Sequence, residues 1–172
     1  MISYKVRLNK ITTFIFDVDG VLTNGDIIIQ ENELVRTFNS RDSYAIQYAS
    51  KMGYRILIIT GGRSTTVKNI LLEIGVQEVC LSASNKLYIY TELKNKYNFS
   101  DEEVVYMGDD IPDYKVMQKV GCATCPQDAA VEIKLISHYQ SPFYGGRHCV
   151  RDIIEQTLRV QNKWFTEKAF EW

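Results

Sequence analysis

Two acidic residues, Asp17 and Asp19, stand two apart in the run Asp17-Val18-Asp19-Gly20, directly after the apolar stretch Ile11–Phe16. Confined to one crevice, two carboxylates repel each other as anions. A divalent cation between them, or a proton on one of them, relieves that repulsion. A second acidic group, Asp109, Asp110 and Asp113, follows another apolar run, Val104–Met107. If these acids converge with Asp17, the site offers hard oxygen ligands without sulfur or imidazole. That donor set favours magnesium.

Groups suited to a phosphate accompany the acids. Thr60 supplies a hydroxyl, Gly61 and Gly62 let a backbone approach closely, and Ser64 or Thr65 can open the next helix. The first N–H groups of such a helix face an anion. Lys86 stands at the start of a further helical pattern. Together these residues allow phosphoryl transfer. Asp17 can attack phosphorus, Asp19 can protonate the leaving oxygen and then activate water, and Lys86 with a metal can neutralise the equatorial oxygens. Taken singly, D-x-D-G is often only a turn, and Thr60 or Lys86 only a strand-end hydroxyl or a solvated amine. The specific signal is their conjunction in order.

The elements that must position these residues are legible as alternating patterns. Apolar runs at Ile11–Phe16, Arg55–Thr60, Glu78–Leu81 and Val104–Met107 read as buried strands. Helical faces lie between them: Ala45, Tyr48, Ala49 and Met52; Val67, Ile70, Leu71 and Ile74; Leu87, Tyr90, Leu93 and Tyr97, with Ser84 or Asn85 as N-cap. Pro112–Val120 is read as a fourth helix and Cys149 to Gln161 as the last, with Gly53, Gly75 and Gly121 as stops. Strand–helix alternation predicts an α/β fold, a three-layer parallel sheet with helices on both faces. Ligands of such sheets bind beyond the carboxyl ends of the strands, where the polar motifs fall.

One segment, Gly25–Phe38, breaks the alternation and reads as a β-hairpin: Asp26–Gln30, a turn at Glu31-Asn32-Glu33, then Leu34–Phe38. Three consecutive isoleucines, Ile27, Ile28 and Ile29, put apolar side chains on both faces. The hairpin either packs in a core of its own or buries a face against another subunit. The second is favoured, because two-stranded hairpins are marginal alone.

With 172 residues and 45% hydrophobic content, the chain reads as one globular domain. Twenty basic residues against twenty-one acidic ones leave a net charge of -1, which argues against a nucleic-acid or anionic-membrane binder. The Cys122-Ala123-Thr124-Cys125 spacing lacks the companions of a zinc or redox site, so its thiols are expected to be ordinary and reduced. No stretch approaches the roughly 18 apolar residues that span a bilayer, and no signal peptide is visible; the cytoplasm is the expected location.

The ordered set Phe16-Asp17-Val18-Asp19-Gly20-Val21-Leu22-Thr23, Ile59-Thr60-Gly61-Gly62, Lys86 and Gly108-Asp109-Asp110-Ile111-Pro112-Asp113 resembles the haloacid dehalogenase superfamily of aspartate-nucleophile phosphohydrolases. Within it, the chain is most similar to the capless 3-deoxy-D-manno-octulosonate 8-phosphate phosphatases, through its short length, the hairpin, Ser84-Asn85-Lys86 and the tail Gly145-Gly146-Arg147-His148-Cys149-Val150-Arg151-Asp152. The resemblance implies a Rossmann-like hydrolase domain over residues 1–172, with a hairpin at 25–38, a C-terminal tail from about 144 to 172 and no cap. It implies Asp17 as nucleophile and metal ligand. Asp19 is implied as acid/base that also gives its backbone carbonyl to Mg2+. Thr60 and Lys86 hold the phosphoryl group, Asp109 is a further ligand, and Asp113 and Asp110 lie in outer positions. It also implies a homotetramer with a hairpin core, whose tails reach neighbouring sites, and a place in lipopolysaccharide core-sugar synthesis.

Gly61, Arg63, Arg147 and Arg151 are further candidates for binding an acidic sugar phosphate, the tail arginines as bidentate donors to its carboxylate. Gly62 and His148 depart from the family pattern. Gly62 stands where many members carry Arg or Lys, so Arg63 is the expected replacement charge. His148 replaces a glycine, which matters if that position needs positive φ. The aromatic stretch Trp164–Trp172 is either a frayed end or a clamp on a neighbour. Competing readings are a sialic-acid-like 9-phosphate as substrate, a phospho-receiver, or a non-catalytic oligomerisation domain.

Overall fold

The computed structural model describes residues 3–31 and 33–171. Its centre is a six-stranded parallel sheet in the order β5-β4-β1-β6-β7-β8. The strands are β1 (Thr13–Phe16), β4 (Arg55–Ile59), β5 (Glu78–Cys80), β6 (Val104–Met107), β7 (Cys122–Cys125) and β8 (Tyr139–Gln140). A separate antiparallel pair, β2 (Ile28–Gln30) and β3 (Glu33–Val35), forms the hairpin. The helices are α1 (Tyr4–Leu8), α2 (Ser40–Lys51), α3 (Thr65–Glu73), α4 (Lys86–Tyr97), α5 (Tyr114–Met117), α6 (Val131–Ile136) and α7 (Cys149–Val160). This is the α/β architecture that the strand–helix alternation predicts.

The continuous apolar runs are explained by two cores. Alternate residues of one strand point to opposite faces. Phe14, Phe16, Ile56 and Ile58 pack with residues of α2, α3 and α7, whereas Ile15, Leu57 and Ile59 pack with residues of α4, α5 and α6. Strand β1 lies mid-sheet, flanked by β4 and β6. The chain winds outward from β1 first through β4 and β5, then back across to β6 and β7. The carboxyl ends of β1 and β6 therefore border the switch point where α/β sheets hold ligands.

Several local readings need correction. The fourth helix does not run over 112–120. A 3-10 turn at Ile111–Asp113 leads into the four-residue α5, and the chain leaves the helix before Gly121, whose amide donates to the Asp101 carbonyl instead of to a helical partner. The hairpin strands are shorter than read, and Glu33 opens β3 opposite Gln30 rather than lying in the turn; Asn32 lies outside the described residues. The elements α1, β7, α6 and β8 carry no clear apolar run or helical face in the sequence. Strand β7 was hidden by its composition: Cys122, Ala123, Thr124 and Cys125 are all fully buried, with cysteine acting as a small hydrophobe. Both cysteines are free thiols, and burial pushes Cys122 up to about 12.

The hairpin has no core of its own: Ile27, Ile28, Ile29 and Leu34 are all exposed. Trp164 does not belong to a frayed end, although Phe165 and Phe170 are exposed. Trp164 meets the ring of Tyr48 edge-on at 5.3 Å, the Tyr44 hydroxyl donates to the Ala169 carbonyl, and Tyr48 donates to that of Lys163. Trp164 thus clamps α2 of its own chain. Trp172 lies outside the described residues. Among the described residues no helix is long and apolar enough to cross a membrane.

Candidate active site

Asp17 follows the last residue of β1, and its amide donates to the Met107 carbonyl of β6. One carboxylate oxygen accepts from the Val18 amide at 2.7 Å and the other from the Lys86 ammonium at 2.6 Å. Lys86 is the first residue of α4, set by the Asn85 N-cap, whose side chain accepts from the Tyr88 amide. It is buried and donates a second bond, at 2.7 Å, to Asp113 Oδ1. Asp113 ends the 3-10 turn and is fully buried, and its Oδ1 also accepts from the Tyr106 hydroxyl.

Asp109, after β6, lies against Gly20: a β-carbon on Gly20 would fall 2.0 Å from Asp109 Oδ2, and Gly20 has a positive φ of 82°. Glycine is needed there on both counts. Asp17, Asp109 and Asp113 each bring one oxygen to within 4.8 Å of the others.

These acids sit in a cleft of about 520 Å³ lined also by Asp19, Thr60, Gly61, Gly62, Ser84, Lys86 and Asp110. Thr60 is buried after β4, and its hydroxyl accepts from the Gly62 amide at 3.0 Å. Ser64 caps α3 by accepting from Val67. So the first motif, Thr60-Gly61-Gly62, Lys86 and the late acids do converge at strand ends, as their order predicts.

The electrostatics follow from that crowding. Burial, then the charge of Asp113, raises the Asp17 carboxyl to about 6, although Lys86 pulls it down. Burial, then Asp17 and Asp113, raises Asp109 to about 7. Burial works against the charge of Lys86, but Asp17 and Asp113 outweigh it and its value is raised. Three acids face one ammonium, which leaves excess negative charge.

A cation fits that excess. Asp113 Oδ2 is buried with no hydrogen-bond partner, and the three-carboxylate donor set is the hard oxygen type that suits Mg2+. Asp113, expected in an outer position, is a full member of this cluster. The carboxylate of Asp19 is not. Strand β1 ends at Phe16, so the pleat that would aim residues 17 and 19 alike does not continue. Asp19 turns instead to Arg36, with Nε–Oδ1 at 2.6 Å and Nη2–Oδ2 at 3.1 Å.

The remaining candidates are placed differently. Asp110 is exposed at the rim of the cleft; Arg63 is exposed and does not line it. Arg147 is exposed. Arg151 lies elsewhere, its guanidinium over the rings of Trp164 and Tyr44 and bonded to Glu155 at 3.3 Å, so within this chain it does not meet the acids. The tail glycines do contribute, but structurally. Gly145 packs on the Gly20 carbonyl, and the Gly146 amide donates to Val21 O at 2.8 Å. The tail turn therefore backs the first motif rather than hanging free. His148 takes a positive φ of 83°, the condition under which its departure from glycine matters.

Tyr106, Asp42 and Arg36 were missed in the sequence. Asp42 is buried and accepts from the His148 and Arg151 amides, capping α7 from α2. Arg36 carried no signal beyond its place in the second strand read for the hairpin, Leu34–Phe38.

A sheet of this order, with a D-x-D-G loop at its switch point and a lysine held between two carboxylates, defines a haloacid dehalogenase-like hydrolase; that family's sequence profile matches residues 42–121. Over 158 residues the chain is 34% identical to the 3-deoxy-D-manno-octulosonate 8-phosphate phosphatase KdsC of Escherichia coli K12, covering 91% of this chain and 84% of that one. The crystal structure of the Yersinia pestis phosphatase of that name superposes with a TM-score of 0.90 at 32% identity, over 93% of this chain and 87% of the other. The Moraxella catarrhalis phosphatase, crystallised with magnesium, phosphate and KDO, gives 0.90 at 27% identity, over 94% and 93%. This chain belongs to the 3-deoxy-D-manno-octulosonate 8-phosphate phosphatase family.

Proposed function

We propose that the protein is a Mg2+-dependent phosphatase that converts 3-deoxy-D-manno-octulosonate 8-phosphate to the free sugar acid and phosphate. The observation that carries this reading is the Lys86 ammonium bonded to both Asp17 and Asp113 beside Asp109. It leaves one acid of the first motif in the cluster and the other, Asp19, at the cleft mouth. The kinship with KdsC phosphatases supports the substrate.

Asp17 is the nucleophile. One of its oxygens attacks phosphorus, the ester P–O bond breaks, and Asp19 gives its proton to the leaving sugar oxygen. Asp19 then takes a proton from water, whose oxygen attacks phosphorus and breaks the bond to Asp17, releasing phosphate. Thr60, the Gly61 and Gly62 backbone and Lys86 hold the phosphoryl oxygens. Asp17, Asp109 and Asp113 would hold Mg2+, with the backbone of Asp19 and the rim residue Asp110 in support. When bound, the ion neutralises charge developing on the phosphoryl group. Lys86 holds the cluster's acids in place and neutralises part of the charge itself.

The same reading makes residues 1–172 one catalytic domain, in a cytoplasmic enzyme of lipopolysaccharide core-sugar synthesis. Its assembly is a homotetramer built through the exposed hairpin isoleucines. Arg147 of one subunit, Arg63 or a displaced Arg151 would meet the substrate carboxylate. A phosphate-release screen over acidic sugar phosphates, with Mg2+ present or chelated, tests this. Mg2+-dependent release from the octulosonate 8-phosphate, lost in Asp17→Asn, is expected. Activity surviving that substitution excludes Asp17 as nucleophile, and preference for a nine-carbon 9-phosphate moves the substrate assignment.

A further inference from the structure

Arg36 follows β3, at the return of the hairpin towards α2. Its side chain is only 7% exposed, and its fork engages both oxygens of Asp19, which is itself about a third exposed at 32%. Arg36 lines a small cleft together with Val18, Thr60, Gly62 and Ser64. A β-carbon on Gly62 would stand 3.3 Å from Thr60 Oγ1 and in ordinary contact with Asp19 Oδ2 at 3.8 Å and Arg36 Nη2 at 3.9 Å. A longer side chain would contest that space.

Burying a guanidinium sacrifices hydration. An apolar side chain could pin the hairpin to the core without that cost, so a merely structural tie does not explain the choice of arginine. The fork does. A bidentate pair fixes both the direction and the plane of a carboxylate. Each carboxylate oxygen has two lone-pair sites, so the fork takes one on each and leaves others for a further hydrogen bond.

We infer that Arg36 is a positioning residue for the reaction, holding the Asp19 carboxylate at the cleft mouth where it exchanges a proton with the substrate oxygen. The inference rests on the assignment of Asp19 as acid/base. It also means that a shift of the hairpin moves the cation that orients Asp19.

The test compares two leaving groups. A sugar alkoxide needs a proton as it departs, whereas p-nitrophenolate does not, and kcat/KM reports only steps through ester cleavage. Arg36→Met, which keeps the aliphatic bulk, should lower kcat/KM for 3-deoxy-D-manno-octulosonate 8-phosphate on the order of 10-fold more than for p-nitrophenyl phosphate. Arg36→Lys should recover part of that difference, since a point charge replaces the fork incompletely. Equal losses on both esters would mean a structural role and overturn the inference. Crystal structures of wild type and Arg36→Met give a readout that needs no turnover. Asp19 changing rotamer in the variant supports positioning, and Asp19 unmoved overturns it. Failure of the wild type to cleave either ester counts against the phosphatase reading alone, and the rotamer still decides the role of Arg36.

Discussion

Gly145 meets Gly20 backbone to backbone: a β-carbon on Gly145 would lie 2.0 Å from the Gly20 carbonyl oxygen. Gly20 in turn presses against the Asp109 carboxylate. The tail turn, the first motif and a candidate metal ligand are thus stacked in one line, with no side chain between them to absorb a displacement. Gly145→Ala should therefore push the Asp17–Gly20 loop out of place. We expect a destabilisation of about 1–3 kcal/mol, the usual range for overpacking, with activity falling further than stability. Urea unfolding and phosphate release measure the two separately.

His148 enters α7 in a left-handed conformation, with φ at 83° and its amide donating to Asp42. Asn tolerates that region, whereas a β-branched residue strongly resists it. His148→Val should cost about 1–3 kcal/mol, and His148→Asn should stay within about 0.5 kcal/mol of the native chain. Equal unfolding midpoints for the two variants would show that φ at this position is not held by the fold.

Removing Lys86 leaves Asp17 and Asp113 buried without their cation. Breaking such a pair typically costs about 3–5 kcal/mol. In Lys86→Met the loss should be larger at pH 8, where Asp17 is ionised beside Asp113, than at pH 5, below the value of about 6 to which burial and Asp113 already raise Asp17. Denaturation at the two pH values checks the sign, and activity should be abolished at both.

Metal-free stability has its own pH dependence. The folded-state values of Asp17 and Asp109, about 6 and about 7, lie above the ordinary 3.8. The folded chain therefore keeps protons that the unfolded chain has released. That contribution is fully present below the ordinary value and is lost as pH rises through 6 to 7. Mg2+ acts in the opposite sense, since it must displace those protons at low pH. The rise in Tm on adding Mg2+ should be greater at pH 8 than at pH 5.5, and a shift independent of pH would place the ion away from these carboxylates.

Ile29 is 82% exposed on a strand with no core beneath it. If the hairpin is the assembly surface, Ile29→Glu should lower the mass seen by light scattering while leaving the far-UV spectrum unchanged. An unchanged mass would free the hairpin of that role.

Much of the fold was legible because the central strands are buried on both faces and punctuated by polar motifs. The runs ending at Phe16, Thr60 and Met107 needed no partner to be recognised, and Gly53 and Gly75 take the positive φ that their role as helix stops requires. Strand β7 was not legible, because small and sulfur-bearing residues carry little periodic signal. The break after Pro112 was missed because a helical pattern in sequence does not say how many turns its packing allows.

By itself the sequence determined the order of the chemistry: D-x-D-G first, then Thr60, Lys86 and the late acids, each at the end or start of an element. That order survives any detail of packing because local propensity and apolar runs fix which elements form. Only the tertiary structure decided the pairings: Lys86 between Asp17 and Asp113, Asp19 with Arg36, Gly145 on Gly20, and Arg151 on its own aromatics. Those contacts join residues far apart in the chain through side-chain direction and the winding of the sheet, quantities that one-dimensional spacing does not contain.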